Sequence, residues 1–412
     1  MEFPRLVTVR QTLHSDALAD PAGRVDSGLE ALGLPGELPS GSRVAVAVGS
    51  RNIDGLAVVV SRLIERLFEA GCSPFVVPAM GSHGGATASG QVAVLRSLGV
   101  DWQRLGAPIV SSMRAVLLGT TPGGVEAYID RNALEADAII VVNRVAPHTG
   151  YSGDVQSGVV KMLAVGLGKD VGAAALHKHG FASGHLIGEV ADLVIEKTPV
   201  LAAVALVEDG TNKISRVEVL HRGDMRACEP GLLELARSMW PRIPVKSADV
   251  LIVDEIGKDI SGTGMDPLVT GRGKNLPPGE SHVFTTTCLV ALSLTPGSGG
   301  NATGVGHADI ISTRLFEGID HEVTRRNVMT SGALERARIP LVAGSDREAL
   351  RIALERVEGG AAATPGIVRI RNTRNLEEIQ VSTTLLPEVM GVEGMTVGPE
   401  RELAFDRDGN II

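Results

Sequence analysis

The stretch RVAVAVGSRNIDGLAVVVSRLIERLFEAGCSPFVVPAMGSHGGAT, residues 43–87, decides the fold class. It opens with RVAVAV, a short apolar run that reads as a strand and ends in a Gly-Ser turn. Residues 56–70 then carry apolar side chains at helical spacing, and Gly71 stops that helix. SPFVVPAM, residues 73–80, is the next strand, and GSHGGAT leads into a helix over 89–98. Strand, glycine loop and helix repeated in this order predict a mostly parallel sheet with helices on both faces.

Outward from that stretch the pattern continues. AVLLG (115–119) and VEAYID (125–130) read as strands joined by the turn TTPGG, and AIIVV (138–142) as a buried strand. A helix over 186–196, the strand VLAAVALV and a helix over 232–239 complete a larger N-terminal domain. WPRIPVKSAD (240–249), with two prolines, is the expected boundary, giving domains 1–245 and 246–412, the last residues free to return to the first. The second domain is expected to be a smaller α/β unit. Its strands are VLIV, HVFTTTCLVALSL, IVRIR and IQVSTTLL, and its helices lie over 308–327 and 345–358. The active site is expected in the cleft between the domains, where α/β proteins commonly bind small molecules.

Composition narrows the function. The chain has 412 residues, 44% hydrophobic and 21% charged, which is ordinary for a globular protein with a sizeable core. A net charge of −9 argues against a nucleic-acid partner. Cys72, Cys228 and Cys288 are far apart and form no CxxC pair, as expected in a reducing compartment. No basic-then-apolar leader and no membrane-length apolar run is present, so a cytoplasmic location without a membrane partner is expected. A homo-oligomer is compatible with all of this.

Four stretches carry chemistry. In GSHGG (81–85), backbone N–H groups between a strand and a helix suit a phosphate, with His83 as a further donor; a plain tight turn is the other reading. NRVAPHTGYSGDVQSGVVKM (143–162) places His148 just past the carboxyl end of a strand, where open α/β sheets bind ligands. His148 suits a general base, or a hydrogen-bonded structural group. Glycines 150, 153 and 158 let the backbone approach a ligand, and Lys161 and His177 follow as a nucleophile or phosphate partner and a metal ligand. GLGKDVG (166–172) approximates a dinucleotide fingerprint, with Glu189 or Asp192 as the ribose acid. DEIGKDISGTGMD (254–266) is rich in carboxylates, suggesting Mg²⁺ or substrate hydroxyl contacts, and Lys258 suits a substrate carboxylate.

Together LGTTPGG (118–124), LEADAIIVVN (134–143), PHTGYSG (147–153) and SGVVKM (157–162) resemble the nickel-dependent lactate racemase family, and DEIGKDISGTGMDP resembles its more distant branch. The likeness covers most of residues 40–310. It implies a nickel pincer nucleotide linked through a lysine thioamide, with a histidine as the remaining nickel ligand. It also implies racemisation of a 2-hydroxy acid by hydride transfer, two histidines exchanging the hydroxyl proton. Position by position, His148 matches one catalytic histidine, Lys161 the cofactor-linking lysine, His177 the nickel ligand and His83 the histidine of the strand–loop–helix turn. Ser82, Gly84 and Gly85 of the first loop, and Tyr151, Ser152, Gly153, Ser157 and Gly158 of the second, are the implied cofactor contacts. Hydride transfer through a transient keto acid avoids the carbanion that proton removal would create beside an ionised carboxylate.

The departures are specific. Where the family has its second catalytic histidine this chain has Ser111-Ser112-Met113-Arg114, and where it has a carboxylate-binding arginine this chain has Gly84. Three residues are inserted between His148 and Lys161. The expectation is an epimerase or racemase of a 2-hydroxy acid other than lactate, with Ser112 or His83 standing in for the missing base and Lys258 on the carboxylate. An NAD(P)-dependent oxidoreductase using GLGKDVG and a catalytically silent nucleotide-binding homologue are the alternatives.

Overall fold

The computed structural model describes residues 3–151, 153–180, 184–273, 284–357 and 364–412. The chain divides into two compact units, His14–Trp240 and a second made of Met1–Leu13 with Pro241–Ile412. The sequence alone places a boundary at 245 and keeps residues 1–13 with the first domain.

The strand β1 (Leu6–Gln11) belongs to the second unit. The first unit carries β2 (Arg43–Val48), β3 (Ser73–Pro78), the hairpin β4 (Ala115–Thr120) and β5 (Glu126–Asp130), then β6 (Ala138–Arg144), β7 (Val200–Glu208) and β8 (Ile214–His221). Its five-stranded sheet runs β3-β2-β6-β7-β8. The first four strands are mutually parallel and β8 is antiparallel to β7. Alternation along β2 sorts its side chains: Val44, Val46 and Val48 face one core, Ala45 and Ala47 the other. A strand buried on both sides reads as one apolar run, which is why RVAVAV was legible.

Helices α1 (Pro21–Ala31) and α2 (Leu56–Glu69) cover the valine face. α2 buries Val59, Val60, Leu63, Ile64 and Leu67, and Gly71, at φ 76°, ends it as expected. The alanine face is covered by a helical run that begins at Val159–Lys161, passes through a π-helical turn Met162–Gly166, and continues as α4 (Lys169–His177), after α3 (Ala88–Ser97) earlier in the chain. Then come α5 (His185–Lys197) and α6 (Met225–Ser238). α6 starts seven residues before the expected helix at 232, because it runs through Pro230. Pro230 has no N–H to give the Arg226 carbonyl four residues back, so the helix forgoes one hydrogen bond there and continues.

The second unit holds β9 (Ser247–Val253), β10 (Thr285–Ala291), β11 (Ile310–Ser312), β12 (Leu341–Ala343), β13 (Ile367–Ile370), β14 (Glu378–Ser382) and β15 (Met395–Arg401). Its sheet runs β12-β11-β10-β9-β13-β14-β1-β15, parallel from β12 to β13 and antiparallel beyond. The helix expected over 308–327 is a correction: Ile310 and Ile311 pair with Val290 and Ala291 as a central strand. A short helix Thr313–Glu317 follows, and α7 (His321–Ser331) starts afresh at an Asp320 cap. Helix α8 (Asp346–Val357) packs Ala349, Leu350, Ala353 and Leu354 on one face of this sheet. Among the described residues no helix is long and apolar enough to cross a membrane.

Candidate functional site

The order β3-β2-β6 places three loops side by side at one carboxyl edge. These are Gly49-Ser50 after β2, Gly81–Gly85 after β3, and the 145–158 loop after β6. The His83 ring nitrogen Nδ1 lies 2.5 Å from Ser50 Oγ. Gly81 N–H donates to Gly166 O at 3.1 Å, tying the His83 loop to the π-helical turn just beyond Lys161.

The 145–158 loop is closed on itself. Ala146 and Ser157 exchange backbone hydrogen bonds at 2.8 and 3.3 Å. Asn143 Nδ2 donates to Gly158 O at 2.7 Å, and the buried Gln156 accepts His148 N–H at 2.8 Å. Inside that frame the N–H groups of Gly150 and Tyr151 both donate to His148 Nδ1 at 3.0 Å. Tyr151 is 1% exposed, and three side chains gather on its ring. The Lys161 ammonium lies 4.8 Å from the ring centroid, the His148 ring 4.9 Å and the His177 ring 6.4 Å, near-parallel at 27°. The structure therefore brings His148, Tyr151, Lys161 and His177 together from a loop, a helix start and a helix end.

Glu229, from α6, sets the helix start. Its buried carboxylate accepts Val160 N–H at 2.9 Å. A Cβ on Gly158 would lie 2.3 Å from its Cδ, so glycine is the residue that admits the carboxyl there. Burial pushes the Glu229 carboxyl up to about 7, against the lowering effect of the Val160 and Val159 N–H groups and of Arg226. The π turn that follows Lys161 is a feature frequent at functional sites, since it re-aims a helix face.

The remaining sequence candidates are placed as follows. Gly84 and Gly85 both have positive φ, 66° and 67°. A Cβ on Gly84 would strike the Gly90 backbone at 2.5 Å, whereas one on Gly85 meets nothing within 4 Å. Ser82 lies in the same turn, its carbonyl accepting Ala86 N–H at 3.1 Å. Gly153, at φ 103°, is exposed with open space on its Cβ side. Ser152 falls outside the described residues. Ser112 Oγ accepts Arg114 N–H at 3.0 Å in a local turn ahead of β4. Lys258 is in the second unit, its ammonium donating to Gly262 O at 2.6 Å and Asn327 Oδ1 at 2.9 Å.

Two expectations are corrected. GLGKDVG does not follow a strand; it follows the π turn, inside the helical run. A Cβ on Gly166 would meet Ala79 O at 2.6 Å and one on Gly168 would meet Tyr128 O at 3.2 Å. These glycines let the helix pack on neighbouring backbone, not on a pyrophosphate. Lys169 of that motif is wholly buried and paired with Asp130 at 2.9 Å. It also donates to Pro78 O at 2.5 Å and to Gln91 Oε1 at 3.2 Å. The acids of 254–266 are likewise engaged within the fold: Asp254 with Arg369, Glu255 with Arg371, Asp259 with Thr295, and Asp266 as a helix cap. That arrangement replaces the Mg²⁺ reading of the loop.

Sequence reasoning missed Gln91, Asp130, Gln156 and Glu229. Gln91 donates to Gly81 O at 2.8 Å and so links Lys169 to the His83 loop. None of these residues sits in a recognisable motif, and Glu229 precedes a proline that suggested a turn. Ser50 had a signal, the Gly-Ser step at a strand end.

Among the described residues no group of three or more His, Cys, Asp or Glu converges as a metal cage. A metal at this cluster would need a cofactor carrying most of its donors, with one imidazole from the chain. His177 and Lys161, both against the Tyr151 ring, offer one imidazole and one ammonium to such a group.

The fold and the site define an α/β protein with a lysine–histidine cluster by the loops at the carboxyl edge of a parallel sheet. Residues 37–183 match the model of the lactate racemase N-terminal domain family. The lactate racemase apoprotein from Thermoanaerobacterium thermosaccharolyticum shares its fold, at 15% identity and a TM-score of 0.51 over 89% of this chain and 93% of that one. No curated protein sequence matches the chain.

Proposed function

We propose that this protein is an isomerase, a racemase or epimerase of a 2-hydroxy acid other than lactate, working with a nickel pincer nucleotide. The observation that carries the reading is the gathering of His148, Lys161 and His177 on the Tyr151 ring, within residues that match the lactate racemase N-terminal domain family. When bound, such a cofactor supplies a hydride acceptor for the substrate carbon.

The chain's own residues do the rest. Lys161 holds the cofactor and His177 offers the imidazole donor, both oriented by the Glu229-capped helix start and the π turn. The turn Ser82–Gly85 and the open face of Gly153 suit its phosphate and ribose. His148 meets the C2 oxygen of the substrate, and His83 or Ser112 works at the other face. A substrate different from lactate is supported by Gly84: a carboxylate-binding arginine side chain cannot start where a Cβ strikes Gly90.

The test is metal analysis and intact mass on protein made in cells that also synthesise the pincer nucleotide. Stoichiometric nickel with a mass adduct lost in Lys161→Ala supports the reading. An unmodified mass without nickel, from cells whose cofactor synthesis is active on a control, sinks it. Exchange of substrate C–H across a panel of 2-hydroxy acids then separates an enzyme from a silent homologue.

A further inference from the structure

The imidazole of His148 is held in a way that restricts its chemistry. A neutral imidazole has one N–H and one acceptor nitrogen. His148 Nδ1 receives two backbone N–H groups, from Gly150 and Tyr151, each at 3.0 Å. A nitrogen that accepts two donors carries no proton, so the ring proton sits on Nε2. The donors belong to a turn that is itself fixed by Gln156 on His148 N–H and by the Ala146–Ser157 pair. The buried Tyr151 ring lies against the imidazole.

We infer that His148 works as a fixed Nε2–H donor to the C2 oxygen of the substrate and is not the group that takes the hydroxyl proton. This rests on the racemase or epimerase reading above. Acting as a base at Nε2 would require the proton to reside on Nδ1, facing two N–H groups, and both hydrogen bonds would be lost. A neutral imidazole that donates without ionising stabilises a developing or formed carbonyl oxygen, as electrophilic histidines do. The hydroxyl proton then passes to the imidazole of His83, the histidine proposed for the other face of the substrate.

The donor also selects substrates. A hydroxyl or carbonyl oxygen at C2 offers a lone pair to Nε2–H, whereas the ammonium of a 2-amino acid offers none and sets N–H against N–H. The site so built accepts 2-hydroxy and 2-oxo acids and rejects 2-amino acids of the same skeleton.

The experiment uses the wild-type chain labelled with ¹⁵N-histidine. Long-range ¹H–¹⁵N correlations at pH 8 distinguish the two tautomers, and the His148 resonances are assigned by their loss in His148→Gln. The expected result is the Nε2–H pattern; an Nδ1–H pattern or an interconverting mixture overturns the inference. In the cofactor-loaded enzyme, His148→Ala is expected to lose about 10²–10³-fold of C–H exchange, the cost of one oxyanion donor. His148→Gln, which keeps an N–H near Nε2, is expected to retain at least tenfold more than the alanine variant. Equal losses in the two variants overturn the donor role. If the loaded wild-type protein exchanges no 2-hydroxy acid, the racemase reading and the substrate role fail together, while the tautomer is settled by the spectrum alone.

Discussion

Lys161 and Lys169 stand eight residues apart on one helical run, both flanked by apolar residues and glycines, and their surroundings are opposite. Lys161 is partly exposed, its ammonium against the Tyr151 ring beside His148 and His177. Lys169 is fully buried, paired with Asp130 and bonded to Pro78 O and Gln91. Burial lowers the Lys169 ammonium below its usual range, against the attraction of Asp130. One lysine can reach a cofactor; the other is a tie between the sheet, the hairpin and the His83 loop. A lysine motif is a reactive site only where the ammonium retains access and freedom to move.

That contrast can be broken first at Lys169. Lys169→Ala strands Asp130 as an uncompensated buried charge and should cost about 3–5 kcal/mol, read as a lowered urea midpoint. Restoring most of the loss by adding Asp130→Asn would confirm the cause. A midpoint unmoved by Lys169→Ala would show that the buried pair holds nothing.

Glu229 gives the next largest effect, and one that depends on pH. Its folded carboxyl titrates near 7 against an ordinary 4.5, so the folded state holds the proton more tightly than the unfolded chain. The stability this adds is full below the ordinary value and is lost as pH rises through about 7. Glu229→Gln escapes that loss. Its stability relative to wild type should improve between pH 5 and pH 8 by roughly 1–3 kcal/mol, measured by urea unfolding at both. A difference independent of pH would mean that the carboxyl is ionised throughout.

The His83 turn sharpens the comparison within a single dipeptide. Gly84→Ala and Gly85→Ala both place a Cβ at positive φ, costing about 1 kcal/mol each. Only the first also strikes the Gly90 backbone, so it should cost at least about 1 kcal/mol more in thermal unfolding. Equal costs would mean that the turn adjusts freely. The smallest stability effect belongs to Lys161→Ala, within about 0.5 kcal/mol, since its ammonium is partly exposed. The same variant should abolish the nickel adduct, and retention of the adduct would move the attachment to another residue.

Much of the first unit was legible because its strands are buried on both faces and its helix caps are explicit. RVAVAV, SPFVVP and AIIVV read as strands, and Gly71 as a helix end, and the structure agrees. The 308–327 region was not: Ile310 and Ile311 fit either a helix or a strand over so few residues, and pairing with β10 decided the matter. At the site, PHTGYSG and SGVVKM named His148, Lys161 and Tyr151. The Gly-rich GLGKDVG gave the same kind of signal for a motif whose glycines serve packing.

The sequence by itself determined a parallel α/β sheet with glycine loops at its carboxyl edge, because alternation and punctuation are local properties of the chain. It also named the lysine and histidines that the resemblance implies. Only the tertiary structure decided which lysine is buried, which glycine is jammed, and that Glu229 caps the helix carrying Lys161. It alone supplied the two backbone donors that fix the proton of His148. Those are questions of which distant groups share a space, and burial, charge pairing and tautomer follow from that neighbourhood and not from the residue's place in a motif.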